Sequence, residues 1–353
     1  MNLYTEQGYL NFPFLLEKCE ETPFIFIIGG RGTGKTFGAL KYATDYYEQT
    51  GKPFIFMRRT QTKADIVSDS LFSPYKALNE FYNWNIEPFT IGHGLSGYYH
   101  STVNENGKLS KDGKIVAYIM AMSTFSNVRG FDASNIDYIF YDEFIKMEGE
   151  KSIKSEGFIL KNIFETVNRN RELSGKKACK LVCMANSDFI ANDVFIDLNL
   201  VGYCETMIKQ KRNYYFDFGR GIAIFNLFDS PVSQAKRDTA LYRLDNGGSF
   251  TQMSLENKFM DYTTENVKSV PLIEYIPLCK VGELVIYKHK STSQYYISNH
   301  VSGRIKDNYD TDRININRFL KKYCFLWDSY LNEKIVFQTY LIKKVFENLF
   351  LRT

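Results

Sequence analysis

The sequence predicts an α/β fold, a parallel-sheet domain followed by a small α+β domain. Three observations carry this. Apolar runs of strand length recur at 24–28, 54–57, 136–141 and 180–186, with helix-forming sequence between the first two. The first run opens directly into Gly29-Gly30-Arg31-Gly32-Thr33-Gly34-Lys35-Thr36. Beyond residue 271, three short strand-like runs precede a stretch of helix formers. Strand, helix, strand in that order favours parallel pairing with right-handed crossovers.

Taken in order, residues 1–22 read as a mixed polar and aromatic leader packed beside the loop that follows the first strand. That loop fits the G-x-x-x-x-G-K-[ST] pattern at Gly29, Gly34, Lys35 and Thr36. Glycines let such a loop fold tightly, so that the N–H groups of Gly29, Gly30, Arg31, Gly32, Thr33 and Gly34 point at phosphate oxygens. The N-terminus of the following helix adds partial positive charge. In this pattern Lys35 reaches the terminal phosphates of a bound nucleotide such as ATP, and Thr36 holds Mg²⁺. The helix is expected to run to about Tyr47, with Gly51-Lys52-Pro53 as the turn into the strand at 54–57.

Residues 61–84 read as largely helical. Strands at 88–91, 98–103 and 114–120 form a β insertion or sheet edge, with Asn104-Glu105-Asn106-Gly107 as a hairpin turn. The apolar run 136–141 ends in Asp142 and Glu143. Two acids at a strand end suit an exposed corner. After a phosphate loop they suit another role, with Asp142 binding a water on Mg²⁺ and Glu143 polarising the attacking water. Residues 157–173 form an amphipathic helix with Phe158, Ile159, Ile163, Phe164 and Val167 on its apolar side. It ends in Arg169 and Arg171, which either cap the helix dipole or supply an arginine finger to a neighbouring subunit. Asn186, at the end of the 180–186 strand, is either a turn residue or a γ-phosphate sensor.

Strands at 214–218 and 222–225 and a polar, helix-forming stretch to 255 read as a linker or lid spanning 208–258. This divides the chain into 1–207, 208–258 and 259–353. Lys209, Lys211 and Arg212 give the start of the 208–258 stretch a basic run. In the last part, strands are expected at 272–278, 283–287 and 295–297, and helices over 313–351.

Composition narrows the class. A chain of 353 residues with 44% hydrophobic and 16% aromatic content has room for about two packed domains. Its six cysteines show no paired spacing, and its four histidines no cluster, so reduced thiols in a cytosolic protein without structural zinc are expected. No apolar run approaches a membrane span, and no basic-then-apolar leader opens the chain, so neither a membrane partner nor export is expected. The net charge of +4 resides from residue 259 onward, where 14 Lys and Arg face 10 Asp and Glu. So small an excess suits a solvated surface or a weak polyanion contact.

The set of motifs resembles the DNA-packaging ATPases of phi29-like phages. The pieces are Ile-Gly-Gly-Arg-Gly-Thr-Gly-Lys-Thr, Phe-Met-Arg-Arg-Thr, Phe-Tyr-Asp-Glu-Phe-Ile, Asn-Arg-Asn-Arg-Glu and Met-Ser-Leu-Glu-Asn-Lys-Phe, in order from Ile28 to Phe259. The resemblance implies a terminase-like P-loop NTPase of the ASCE class, followed by an RNase H-like domain that is a vestigial nuclease. That domain keeps its fold without its metal-binding acids, since the expected strands offer only Glu274 and Glu283. It further implies an ATP- and Mg²⁺-dependent motor that moves double-stranded DNA. The motor would be a homo-oligomeric ring, a pentamer, in the host cytoplasm, docked on the portal protein of a procapsid and in some members on a procapsid RNA. Residue by residue, Lys35 and Thr36 match the phosphate-loop pair, and Asp142 and Glu143 the metal-binding and catalytic acids. Arg169 matches the trans-acting finger. Arg129 stands where the family has a lysine reaching the neighbour's nucleotide. Asn186 matches the asparagine that couples hydrolysis to movement, with Ala185 in place of the family's serine.

Other classes fit less well. An ATP-dependent helicase or remodelling enzyme shares the loop and acid pair but should carry motifs that contact single strands, and none is found. A small-molecule kinase does not call for adjacent acids and a second domain, and a nucleotide-binding scaffold does not call for Glu143.

Overall fold

The computed structural model describes residues 3–92, 95–128, 132–147, 150–186, 190, 192–227, 230–245, 248, 251 and 266–351. The chain divides into two compact units, Met1–Leu198 with Lys209–Met260 and Asn199–Ile208 with Asp261–Thr353. No helix among the described residues is long and apolar enough to cross a membrane.

The first unit is organised on one sheet. Its strands are β1 (Phe24–Gly29), β2 (Phe54–Arg58), β3 (Ile86–Gly92), β4 (Leu95–Val103), β5 (Leu109–Ala121), β6 (Tyr138–Asp142), β7 (Lys180–Ala185), β8 (Tyr214–Asp217) and β9 (Ile222–Leu227). They lie in the order β3-β4-β5-β2-β6-β7-β1-β9-β8. From β5 across to β9 every pairing is parallel. The strands β1, β2, β7 and β9 are buried almost throughout, as strands covered on both faces must be. The outer β3-β4-β5 meander is antiparallel. Its turn falls at the expected place, where Asn104 N–H donates to Lys108 O at 2.9 Å and Gly107 has φ +73°.

The helices up to β9 are α1 (Phe12–Lys18), α2 (Lys35–Thr50), α3 (Gln61–Val67), α4 (Tyr75–Tyr82), α5 (Glu156–Asn168), α6 (Asp193–Asp197) and α7 (Val201–Lys209). After β9 come α8 (Pro231–Lys236) and α9 (Ala240–Asp245). The helix α2 starts at the phosphate-loop lysine and stops at left-handed Gly51, whose N–H caps Tyr47 O. Its Ala39, Leu40 and Ala43 pack with Phe12, Leu15 and Leu16 of α1 against the sheet.

Three expectations change. The 61–84 stretch is two helices separated by a turn. In α5, Ile163 and Val167 are buried as expected, but Phe158 is 61% exposed and Leu160 is buried in addition. Within the expected 208–258 linker or lid, 222–227 is part of the main sheet: β9 pairs in parallel with β1 along that strand's whole length and its buried side chains complete the core. Residues 199–208 instead go with the second unit.

The second unit holds a smaller sheet of β10 (Tyr275–Val281), β11 (Leu284–His289), β12 (Tyr295–Ser298), β13 (Asp307–Tyr309) and β14 (Ile335–Phe337), in the order β13-β10-β11-β12-β14. Three helices, α10 (Arg313–Lys322), α11 (Phe325–Leu331) and α12 (Tyr340–Leu351), supply Phe319, Leu326 and Phe346 to a core with Ile286, Ile297 and Phe337. Residues 272–274 form a 3-10 turn rather than strand. The short strands β13 and β14 were not expected. Each has three residues, too few to show a period.

Arg59, just past β2, is fully buried. It pairs with Glu156 at the start of α5, and it donates to Lys151 O at 2.8 Å. This ion pair joins two elements 97 residues apart. Removing one partner of a buried pair strands a charge. Glu156→Ala is therefore expected to lower unfolding free energy in urea by about 3–5 kcal/mol, and Arg59→Met/Glu156→Leu together by much less.

Candidate functional site

The parallel strands end at one edge of the sheet, and every phosphate-site residue read from the sequence stands there. Register brings the ends level: Asp142 of β6 faces Met184 of β7, and Ile28 of β1 faces Ala185. One strand, β7, thus lies between the phosphate-loop strand and the acid strand. Asn186 follows β7 directly, between the loop and the acids.

The loop holds two left-handed glycines, Gly32 (φ +79°) and Gly34 (φ +85°). Both conformations are costly for any residue with a Cβ. Gly34 is also the N-cap of α2. Lys35 is buried, with Nζ donating to Gly29 O at 2.8 Å, Gly30 O at 2.9 Å and Thr33 Oγ1 at 3.1 Å. These acceptors are neutral, and among the described residues Lys35 makes no ion pair. Burial pushes its ammonium down to about 7, opposed by the Asp142 charge and helped by Lys236.

The Thr36 hydroxyl donates to Asp142 Oδ2 at 3.0 Å, across 106 residues of sequence. Arg58 at the end of β2 reaches both acids, Nη1 to Asp142 Oδ2 at 2.5 Å and Nη2 to Glu143 Oε2 at 2.9 Å. Lys63 of α3 lies 3.3 Å from the same Glu143 oxygen and 2.6 Å from Glu150. Burial raises the Asp142 carboxyl above its ordinary range; Arg58 opposes that and the Glu143 charge reinforces it. Glu143 has φ +53°, a strained backbone that turns its side chain off the strand toward Arg58 and Lys63.

This donor set fits a Mg²⁺-nucleotide. A glycine loop with left-handed turns supplies amides, a buried lysine lacks an anionic partner, and a hydroxyl and a carboxylate sit within 3.0 Å as a metal-water site needs.

The arginines at the end of α5 stand elsewhere. Arg171 Nη1 pairs with Asp137 Oδ1 at 2.7 Å and Nη2 donates to Ser134 O at 2.9 Å. Asp137 precedes β6, whose far end carries Asp142; five strand residues separate the two by about 16 Å. Arg169 is the exposed C-cap of α5 with φ +45°. Both therefore lie on the sheet edge opposite the chain's own phosphate loop. Arg129 and the 253–259 motif lie outside the described residues. Lys209, Lys211 and Arg212 are all exposed.

Arg58, Lys63 and Lys236 were missed by sequence reasoning. The one signal for the first was the paired Arg58-Arg59 at a strand end. Nothing local marks Lys63 or Lys236, which come to the site from separate helices.

A family model described as Podovirus DNA encapsidation protein (Gp16) matches residues 15–270. The chain belongs to this family. Among its relatives is the DNA packaging protein of Bacillus phage phi29, 27% identical over 237 residues, which cover 67% of this chain and 61% of the length of that relative. The DNA packaging protein of Bacillus phage B103 is 22% identical over 334 residues, covering 91% of this chain and 94% of that protein. In fold, the chain is similar to a solved chain from the bacteriophage Phi-29 viral genome packaging motor assembly. The TM-score is 0.68 at 20% identity, over 98% of this chain and 99% of that one. The encapsidation family thus has the α/β architecture read from the sequence.

A free lysine side chain titrates near 10.5, and in this fold Lys35 does so near 7. A polyanion beside it favours the ammonium form, so ADP binding at pH 8 should take up protons, approaching a full proton per site. Calorimetry in buffers of different ionisation enthalpy measures this, and Lys35→Met should abolish the uptake.

Proposed function

We propose that this chain is the ATP hydrolase of a viral genome-packaging motor, which moves double-stranded DNA into a procapsid. The observation that carries the reading is the Thr36–Asp142 hydrogen bond with Glu143 beside it, joining loop and acids at one sheet edge. Membership of the encapsidation family, and relatives that are DNA packaging proteins of Bacillus phages, support the substrate.

When bound, Mg²⁺-ATP supplies the phosphoanhydride whose cleavage drives movement, and the metal's charge offsets that of the phosphates. The chain's own residues do the rest. The amides from Gly29 to Gly34 and the Lys35 ammonium hold the phosphates. Thr36 and Asp142 hold the metal and its water. Glu143 orients the attacking water and accepts its proton. Arg58 and Lys63 aim Glu143. Asn186, between loop and acids, senses the γ-phosphate.

We further propose a homo-oligomeric ring, a pentamer, working in the host cytoplasm while docked on a portal protein. Arg169 serves the neighbouring subunit's site. Support comes from its exposure and from its place at the end of α5. Lys209, Lys211 and Arg212 are proposed to touch DNA phosphates. The second unit is read as an RNase H-like domain without nuclease activity. In support, β10, β11 and β12 carry no Asp or Glu, whereas two-metal cleavage needs a carboxylate cluster.

Duplex DNA should stimulate ATP hydrolysis, and Glu143→Gln should lower turnover by about 10²–10⁴-fold while nucleotide still binds. In the same reactions with Mg²⁺ or Mn²⁺, the DNA should keep its length on a gel. Stimulation by single strands alone, or cleavage, would contradict the proposal. In mixed rings, Arg169→Ala chains combined with Glu143→Gln chains should recover part of the activity that each lacks. A mixture as inactive as its parts would reduce Arg169 to a helix cap.

A further inference from the structure

The phosphate loop wears a collar made by two remote segments. Leu10 N–H donates to Thr33 O at 2.9 Å, and Tyr9 lies against Gly34. From the other side comes α8. Its first turn is fixed by the buried Ser230, whose Oγ accepts from Ser233 N–H at 3.1 Å. Pro231 packs so closely on Gly8 that a Cβ there would stand 2.9 Å from its own Cβ. The last residue of this anchored helix is Lys236.

Lys236 Nζ donates to Arg31 O at 2.8 Å, 205 residues away in sequence. A Cβ on Gly32 would stand 2.1 Å from that nitrogen, so glycine at this position is what admits the ammonium. Among the described residues, no carboxylate pairs with Lys236, and Arg31 O is its one acceptor. Two of its three N–H donors are left for another partner. The loop thus gathers two lysine side chains, Lys35 and Lys236. Two like charges on one loop disfavour each other unless an anion joins them. We propose that Lys236 is a second phosphate-binding lysine, delivered by α8 to the middle of the loop, whose missing partner is the polyphosphate of the nucleotide. This rests on the nucleotide reading of the loop and adds to it a residue outside the phosphate-loop motif.

The test is equilibrium binding of fluorescent mant-ADP and mant-ATP to the full chain, followed by anisotropy. Lys236→Met keeps the stem and removes the charge. It should weaken ATP binding about tenfold to a hundredfold, the worth of one charge-assisted hydrogen bond, and ADP binding less. Lys236→Arg should stay within about threefold of the parent, since one cation replaces another. Thermal melting without nucleotide should give the same midpoint for all three proteins. Lys35→Met serves as the reference. If it loses binding while Lys236→Met does not, the inference fails and the nucleotide reading stands. If Lys35→Met itself binds as the parent does, the nucleotide reading fails. Equal losses in Lys236→Met and Lys236→Arg, or a fallen midpoint in both, would mean that Lys236 only packs, and would overturn the proposal.

Discussion

One hydrogen bond, from the Thr36 hydroxyl to the Asp142 carboxylate, ties the halves of the site together. It exists because parallel strands with one-to-one register end at the same level. Neither partner reaches the other through local sequence; both are carried there by the β1-β7-β6 ladder. Sliding that ladder by one residue would turn the inward side chains of a strand to the opposite face, so the buried cores on both faces hold the register against slippage. The site's geometry is thereby inherited from apolar packing some distance below it.

That placement creates an electrostatic problem. Asp142, Glu143, Glu150 and Glu156 crowd one end of the sheet, together with Lys35, Arg58, Arg59 and Lys63. The charges balance in sign, but desolvation remains: burial raises the carboxyls of Asp142 and Glu156 and depresses the Lys35 ammonium. Buried ion pairs rarely outdo apolar side chains of the same volume in stability. Here the Nε atoms of Arg58 and Arg59 have no hydrogen-bond partner among the described residues, and Glu143 is strained at φ +53°.

The opposite sheet edge shows the contrasting use of charge. Asp137 gathers Lys52 at 2.7 Å, the Tyr46 hydroxyl at 2.6 Å and Arg171 at 2.7 Å, binding the end of α2, the approach to β2 and the exit of α5 to the start of β6. Burial works to raise the Asp137 carboxyl, yet these three partners together hold it below its usual range. This cluster fixes where α5 ends and therefore where Arg169 projects. One edge gathers the phosphate loop and the Asp142-Glu143 pair, and the other is closed by the ion pairs of Asp137.

How much of this was legible depended on whether the physical signal was local. The phosphate loop, the strands around it, the Asp142-Glu143 pair and the 104–107 turn could be read directly, because backbone conformation and apolar runs leave marks within a few residues. Sequence could not place the second neighbour of β1, since a buried strand such as β9 looks alike in a core or in an appended lobe. Nor could it show β7 lying between the loop and the acids, the exposure of Phe158 on α5, or the three-residue strands of the second unit. Lys63 and Lys236 carry no local pattern, and Arg58 only the pairing with Arg59 at a strand end; their partners lie 80, 205 and 84 residues away. Sequence determined which chemistry the chain could host, through residue types at fixed spacing. Tertiary structure decided which side chains surround that chemistry, because strand order and helix docking, not spacing along the chain, set which charges meet.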